Sequence, residues 1–143
     1  FDAGPIVAQE PVAILPQDTT PDLLRRCFSA GAKLLVKILP DYLNNKITLK
    51  PQPLKSATPY CQRFTKQDGF IPWPEVARNL KIENWELKIE RATRALHPWP
   101  GVWTTMSNNK ILKLLPKNLL QLEGKQPITW KQFEAGYQSL FKV

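Results

Sequence analysis

The spacing of apolar positions changes along this chain, and each change marks an element. Pro5 to Ala8 and Val12 to Leu15 are short apolar runs, partly β-branched, separated by Gln9-Glu10-Pro11. They predict two strands or an irregular hairpin, and Pro11, which has no N–H to give, confines at least one of them to an edge. From Thr20 the spacing switches to threes and fours: Leu24, Cys27/Phe28, Gly31, Leu34/Leu35, Ile38 and Tyr42 share one helical face. Thr20 is the candidate N-cap, Pro21 the first helical residue, and Asp22 faces the positive end of the helix dipole. Pro40 should kink or end this helix, with Asn44-Asn45 completing the stop. Two strands and one helix leave an apolar face and strand edges without partners. Residues 1–46 therefore read as the tail of a larger α/β domain.

The period then vanishes. Lys50-Pro51-Gln52-Pro53-Leu54-Lys55-Ser56-Ala57-Thr58-Pro59 is a linker by composition, its prolines favouring an extended, semi-rigid spacer. Tyr60 to Trp73 alternates aromatic with basic or polar residues and should cross a surface in extended form, pinned by Tyr60, Phe64, Phe70 and Trp73. A helix capped by Asn84 follows, with Trp85, Ile89, Ala92 and Leu96 as its buried stripe and Lys88, Arg91 and Arg94 on its other face. It stops at Leu96-His97-Pro98-Trp99-Pro100-Gly101, a corner built from two prolines and a glycine. Val102 to Met106, Lys110 to Leu115 and Leu119 to Leu122 read as short strands joined by Ser107-Asn108-Asn109 and Pro116-Lys117-Asn118. Thr129 to Tyr137 closes with a short helix, Gly136 being a candidate C-cap. The second part is thus a small β-rich barrel or sheet with a helix packed on it.

Charge sharpens this division. The chain carries a net charge of +8 over 143 residues. Residues 1–50 hold six Lys/Arg against five Asp/Glu, whereas residues 51–143 hold fourteen against seven. The basic surface belongs to the second part and points to a polyanion, RNA before DNA or membrane, against the plainer reading of a solvated lysine-rich surface. No apolar run approaches the roughly 20 residues of a membrane span. Cys27 and Cys61 lack metal-ligand spacing and read as reduced thiols ahead of one disulfide. Phe1-Asp2-Ala3-Gly4 leads straight into an apolar run with no initiator methionine, which suggests the middle of a fold.

Four stretches carry a family resemblance. Phe1-Asp2-Ala3-Gly4-Pro5-Ile6 resembles the Asp-Thr-Gly-Pro-Ile segment of the methionyl-tRNA formyltransferases, which formylate initiator methionyl-tRNA. Pro59-Tyr60-Cys61-Gln62-Arg63-Phe64-Thr65-Lys66-Gln67-Asp68-Gly69 resembles their linker, with Cys61 in place of alanine. Arg94-Ala95-Leu96-His97-Pro98-Trp99-Pro100-Gly101 resembles their Arg-Ala-x-Asn-Pro-Trp-Pro-Gly corner, with His97 in place of asparagine. Gln121-Leu122-Glu123-Gly124-Lys125-Gln126-Pro127-Ile128-Thr129-Trp130 resembles their closing run.

The resemblance implies an α/β remnant of a Rossmann-like formyltransferase catalytic domain at 1–47 and a linker at 48–66. It further implies a shortened, OB-like β-barrel domain with a helix at 67–143, for binding tRNA. It implies formyl transfer from 10-formyltetrahydrofolate, without a metal, in a cytoplasmic, monomeric enzyme whose partners are initiator methionyl-tRNA and folate, with no membrane. Of the family's catalytic asparagine, histidine and aspartate, only the aspartate has a counterpart, Asp2. The others and most of the folate site would precede Phe1, so the isolated chain is expected to be inactive. Asp2 would orient and charge the imidazole, as the acid of a catalytic triad does; the plainer alternative is a solvated carboxylate. Arg63, Lys66, Lys88, Arg91, Lys110, Lys113 and Lys125 are the candidate tRNA contacts, largely to backbone. His97 is expected to cap carbonyls or pack on Trp99 rather than catalyse. Trp85, Trp99, Trp103 and Trp130 are expected in the core before any role in stacking bases. Two other readings compete: a stand-alone basic RNA-binding module, and a related amino-sugar formyltransferase, which would need no basic domain.

Overall fold

The computed structural model describes residues 4–53, 62–80, 85 and 87–137. They form two compact units, one of Phe1–Pro16 and Asp22–Arg63, the other of Gln17–Pro21 and Phe64–Val143.

The first unit is dominated by helix α1, Thr20–Leu43. Pro40 does not end it. The helix runs on to Leu43, where Asn44 donates to the Pro40 carbonyl through both its backbone N–H (3.1 Å) and its side chain (2.7 Å), and Asn45 turns left-handed at φ 55°. Asparagine tolerates that conformation because its short side chain bonds locally, so the stop comes from Asn44-Asn45. The apolar stripe forms as spaced, yet α1 buries none of its residues. The expected strands at 5–8 and 12–15 do not form. Ile6 and Lys50 exchange one antiparallel pair of hydrogen bonds (2.7 and 3.0 Å), and Gln52 donates to the Gly4 carbonyl at 2.7 Å. Apart from that bridge at Ile6, the described residues of this unit offer the two runs no ladder to join, and a strand without one does not form.

The second unit is a two-layer structure. Strands β1 (Val102–Thr105), β2 (Ile111–Leu115), β3 (Leu119–Leu122) and β4 (Ile128–Thr129) form an antiparallel meander in sequence order. Its inner face is a cross-strand row of Val102, Leu114, Leu120 and Ile128, beside a second row of Thr104, Leu112 and Leu122. Helices α2 (Trp73–Leu80), α3 (Leu87–Ala95) and α4 (Trp130–Tyr137) supply Val76, Leu80, Ile89 and Phe133 to the same core, together with Trp85. Each fully buried side chain of this kind contributes roughly 1.5–3 kcal/mol. The expected stripe of Trp85, Ile89, Ala92 and Leu96 does face this core, though Asn84 lies outside the described residues.

The sheet does not close into the expected barrel. β1 and β4 remain opposite edges, and β4 is only two residues long, too short to wrap round to β1. The fold is therefore a mixed α/β one, with helices on one side of an open four-stranded antiparallel sheet. Helix α4 begins in a capping box: Thr129 N–H donates to Gln132 Oε1 at 2.9 Å, and Gln132 N–H approaches Thr129 Oγ1 at 3.4 Å. Gly136 lies inside α4 rather than past its end. Among the described residues, no helix is long and apolar enough to cross a membrane.

Candidate functional site

The corner after α3 is assembled by backbone. Leu96 N–H continues the helix to Ala92 O at 2.9 Å, and Gly101 N–H returns to Leu96 O at 2.8 Å with φ at 73°, a conformation suited to glycine. The His97–Pro98 and Trp99–Pro100 peptides are both cis. Pro100 is buried, whereas Trp99 is 63% exposed, which corrects the expectation that it packs in the core. Of the other three indoles, Trp85 is in the core and Trp130 packs against it, whereas Trp103 is half-buried away from the core, which corrects the expectation for it as well.

A second segment locks onto this corner. Thr65 caps a single 3-10 turn, Lys66–Gly69, by a reciprocal box with Asp68, so the Tyr60–Trp73 stretch is not extended throughout. The bond from the Thr65 backbone N–H, then that from its hydroxyl, holds the Asp68 carboxyl below the ordinary aspartate range. The turn delivers Gly69 against Gly101: a Cβ at position 69 would lie 1.8 Å from the Gly101 carbonyl oxygen. Beside it, Trp103 joins the segment in three ways. Its indole N–H donates to Lys66 O at 2.9 Å, its carbonyl accepts from Ile71 N–H at 2.9 Å, and its ring meets Phe70 at 4.8 Å. Phe64, a third expected pin, is instead 61% exposed, and Tyr60 lies outside the described residues.

The outer face of the sheet turns this junction into a site. Trp103, Lys113 and Gln121 stand directly across from one another on β1, β2 and β3. Lys66 places its ammonium 5.1 Å from the centre of the Trp103 ring, a cation–π contact worth about 0.5–1 kcal/mol. A cavity of about 570 Å³ opens between corner and sheet, lined among others by Lys66, His97, Trp99, Trp103, Lys113 and Gln121. Cations, an exposed indole and an amide in one concavity suit a ligand with both a π-face and negative charge. Among the described residues, no group of three or more His, Cys, Asp and Glu could hold a metal ion.

Of the candidate tRNA contacts, the structure brings Lys66 and Lys113 together at this cavity. Lys125 lies close by in the β3–β4 turn, where its carbonyl accepts from the Gln121 side chain at 3.0 Å. Lys110 is exposed in the β1–β2 turn, and Arg91 is exposed on α3. Lys88, also on α3, sits 3.6 Å from Glu75. None of these three lines the cavity. Arg63 is exposed and belongs to the first unit. Asp2 lies outside the described residues. His97 reaches the cavity wall half-buried.

Arg94 has a structural role that the helical face assigned to it in sequence missed. Its guanidinium forks onto Glu90 (2.6 and 3.0 Å) and donates to Asp18 O at 2.9 Å, fastening Gln17–Pro21 to α3. Thr20 adds to this by donating its hydroxyl to Ala95 O instead of capping its own helix. The hydrogen bond from Arg94 holds the Glu90 carboxyl below the ordinary glutamate range, and the same bond raises the Arg94 guanidinium. The signal was present in the sequence as a Glu-to-Arg pair four residues apart.

No protein-family model matches the chain. Over 105 residues it is 40% identical to the methionyl-tRNA formyltransferase of Roseiflexus castenholzii, an alignment covering 73% of this chain and 30% of that protein. Over 120 residues it is 37% identical to the methionyl-tRNA formyltransferase of Roseiflexus sp. (strain RS-1), covering 84% and 34%. That of Dehalococcoides mccartyi (strain CBDB1) is 36% identical over 125 residues, covering 83% and 35%. The chain spans about a third of the length of these curated relatives.

Proposed function

We propose, from the premise that the chain is homologous to methionyl-tRNA formyltransferases over 73% to 84% of its length, that the protein carrying it formylates initiator methionyl-tRNA. In this reading 10-formyltetrahydrofolate is the formyl donor. The methionyl amine attacks the formyl carbon, the tetrahedral oxyanion is held by a hydrogen-bond donor, and the folate nitrogen leaves as the amine loses its proton. Asp2 orients the imidazole that moves this proton. We assign the rest of the catalytic and folate-binding groups to the part of the relatives that this chain does not span. The second unit then serves as the tRNA-binding domain, with Lys66, Lys113 and Lys125 near the corner and Lys88, Arg91 and Lys110 as dispersed backbone contacts, to which Arg63 of the first unit adds one more.

The observation that carries this reading is the 36–40% identity to proteins of one named activity. The cationic cavity at the corner is the feature of the second unit that supports a polyanionic substrate. The test is formylation of methionyl-tRNA by the full-length protein and its Asp2→Asn variant. The expected loss in rate is about 10²–10⁴. An unchanged rate removes Asp2 from the chemistry. A full-length protein that binds tRNA with strong salt dependence but never formylates it would favour the RNA-binding module instead.

A further inference from the structure

We infer that the corner cavity takes a single unpaired nucleotide of an RNA, with the base stacked on Trp99 and the phosphate held by Lys66 and Lys113. This deepens the proposed tRNA reading, and rests on it for the identity of the RNA.

The first observation is the exposure of Trp99. Among the described residues of the second unit, the large apolar side chains standing most exposed are Phe64, Leu87 and Trp99, at 61%, 59% and 63%. Of these, only Trp99 lines the cavity. Prolines on both sides fix its flanking φ angles. The indole is thus held out on a stiff backbone, with little freedom to lose when a base stacks on it, and an indole at such a place is a stacking surface.

The second observation is the arrangement of charge. Lys113 has Trp103 and Gln121 as its cross-strand neighbours, and Lys66 lies over the Trp103 ring. Among the described residues, neither ammonium is paired with a carboxylate, so both can meet a phosphate. Glu123 also reaches the cavity. Its carboxylate repels an all-anionic polymer but can accept hydrogen bonds from the amino groups on a base edge, as the Gln121 amide can. A mixed ligand, aromatic and amine-bearing at one end and anionic at the other, is a nucleotide.

The third observation is size. About 570 Å³ is ordinary for a pocket holding a small molecule and far too narrow for a duplex. The nucleotide must therefore be unpaired, as single-stranded ends and loops of RNA provide.

The test uses the full-length protein, a four-nucleotide single-stranded RNA and a blunt RNA duplex. Trp99→Ala should weaken the single strand about tenfold, and Trp99→Phe should restore most of that loss. Lys113→Gln should lower the slope of log affinity against log salt by about 0.7. Duplex binding should not respond to Trp99. Wild-type affinity for the single strand in Trp99→Ala would overturn the inference. So would a poly-glutamate peptide that competes equally well with the same dependence on Trp99, since the cavity would then be a general anion site. Formylation is measured in parallel. Normal formylation with no Trp99 effect on single-strand binding rejects the pocket alone. Single-strand binding that depends on Trp99, in a protein that does not formylate, upholds the pocket and rejects the enzyme reading.

Discussion

Phe28 and Phe133 sit in the apolar stripes of two helices and meet opposite fates. Phe28, on α1, is 76% exposed, while Phe133, on α4, is fully buried against the sheet. Their units differ in the same way: α1 buries nothing, whereas the second unit gathers a continuous core from three helices and four strands. Periodicity says which residues share a face. It does not say whether anything will cover that face, because cover comes from elements elsewhere in the chain or beyond it. The second unit owes its organisation to partners within 80 residues of sequence; the first has the stripe without the sheet.

That contrast can be broken by substitution, starting where the effect is largest. Phe133→Ala should cost about 3–5 kcal/mol in chemical denaturation of the second unit. A loss under about 1 kcal/mol would mean the core is not organised around α4. Gly69→Ala should cost about 1–3 kcal/mol, because the new methyl meets a carbonyl oxygen and the Lys66–Gly69 turn must move off the corner. The indole of Trp103 should report that shift in fluorescence. Glu90→Gln should cost about 1 kcal/mol at neutral pH by unpairing Arg94.

The same pair predicts a pH dependence. The folded Glu90 carboxyl titrates below its ordinary value of 4.5, so its stabilisation is present above that pH and lost as the pH falls through the folded value. Asp68, lowered by its bonds from Thr65, adds to the same acid limb. Thermal melts between pH 6 and about pH 3 should therefore show a shallower decline in Glu90→Gln than in the wild type. The smallest effect should be that of Phe28→Ala, within about 0.5 kcal/mol. A large loss there would mean that α1 packs in solution against something it does not meet here.

Much of the second unit was legible because its strands are short and sharply punctuated. Val102–Thr105, Ile111–Leu115 and Leu119–Leu122 fall within a residue of the expected runs, since Asn109, Lys117 and Asn118 take the positive φ that ends them. Strand β4 was not read, being two residues long and defined by pairing with β3 rather than by any pattern of its own. Helix α2 was missed although Pro74 and Glu75 open it and Val76 and Leu80 are one turn apart. The aromatic alternation of Tyr60 to Trp73 just before it is the pattern of extended chain and masks the start of the helix.

The strand pattern left a barrel or a sheet open and the resemblance favoured an OB-like barrel, but the strands present do not close one. The site is the hardest case. Lys66, Trp99, Lys113 and Gln121 belong to four separate stretches, and nothing in their local sequence announces that Gly69 and Gly101 touch and draw those stretches together. Exposure of Trp99 is similarly invisible in composition, where a tryptophan is a core residue by default.

The bare stripe on α1 also governs the colloidal behaviour of the chain. A net charge of +8 keeps molecules apart when the medium is dilute in salt. Added salt shortens the reach of that repulsion to about 10 Å at 0.1 M but leaves the attraction between apolar faces intact, and sulfate strengthens it. Leu24, Cys27, Phe28, Leu35 and Tyr42 would then find their counterparts on neighbouring molecules. Solutions of this chain should clear at low ionic strength and cloud as sulfate is raised, with turbidity that falls when those five side chains are made polar.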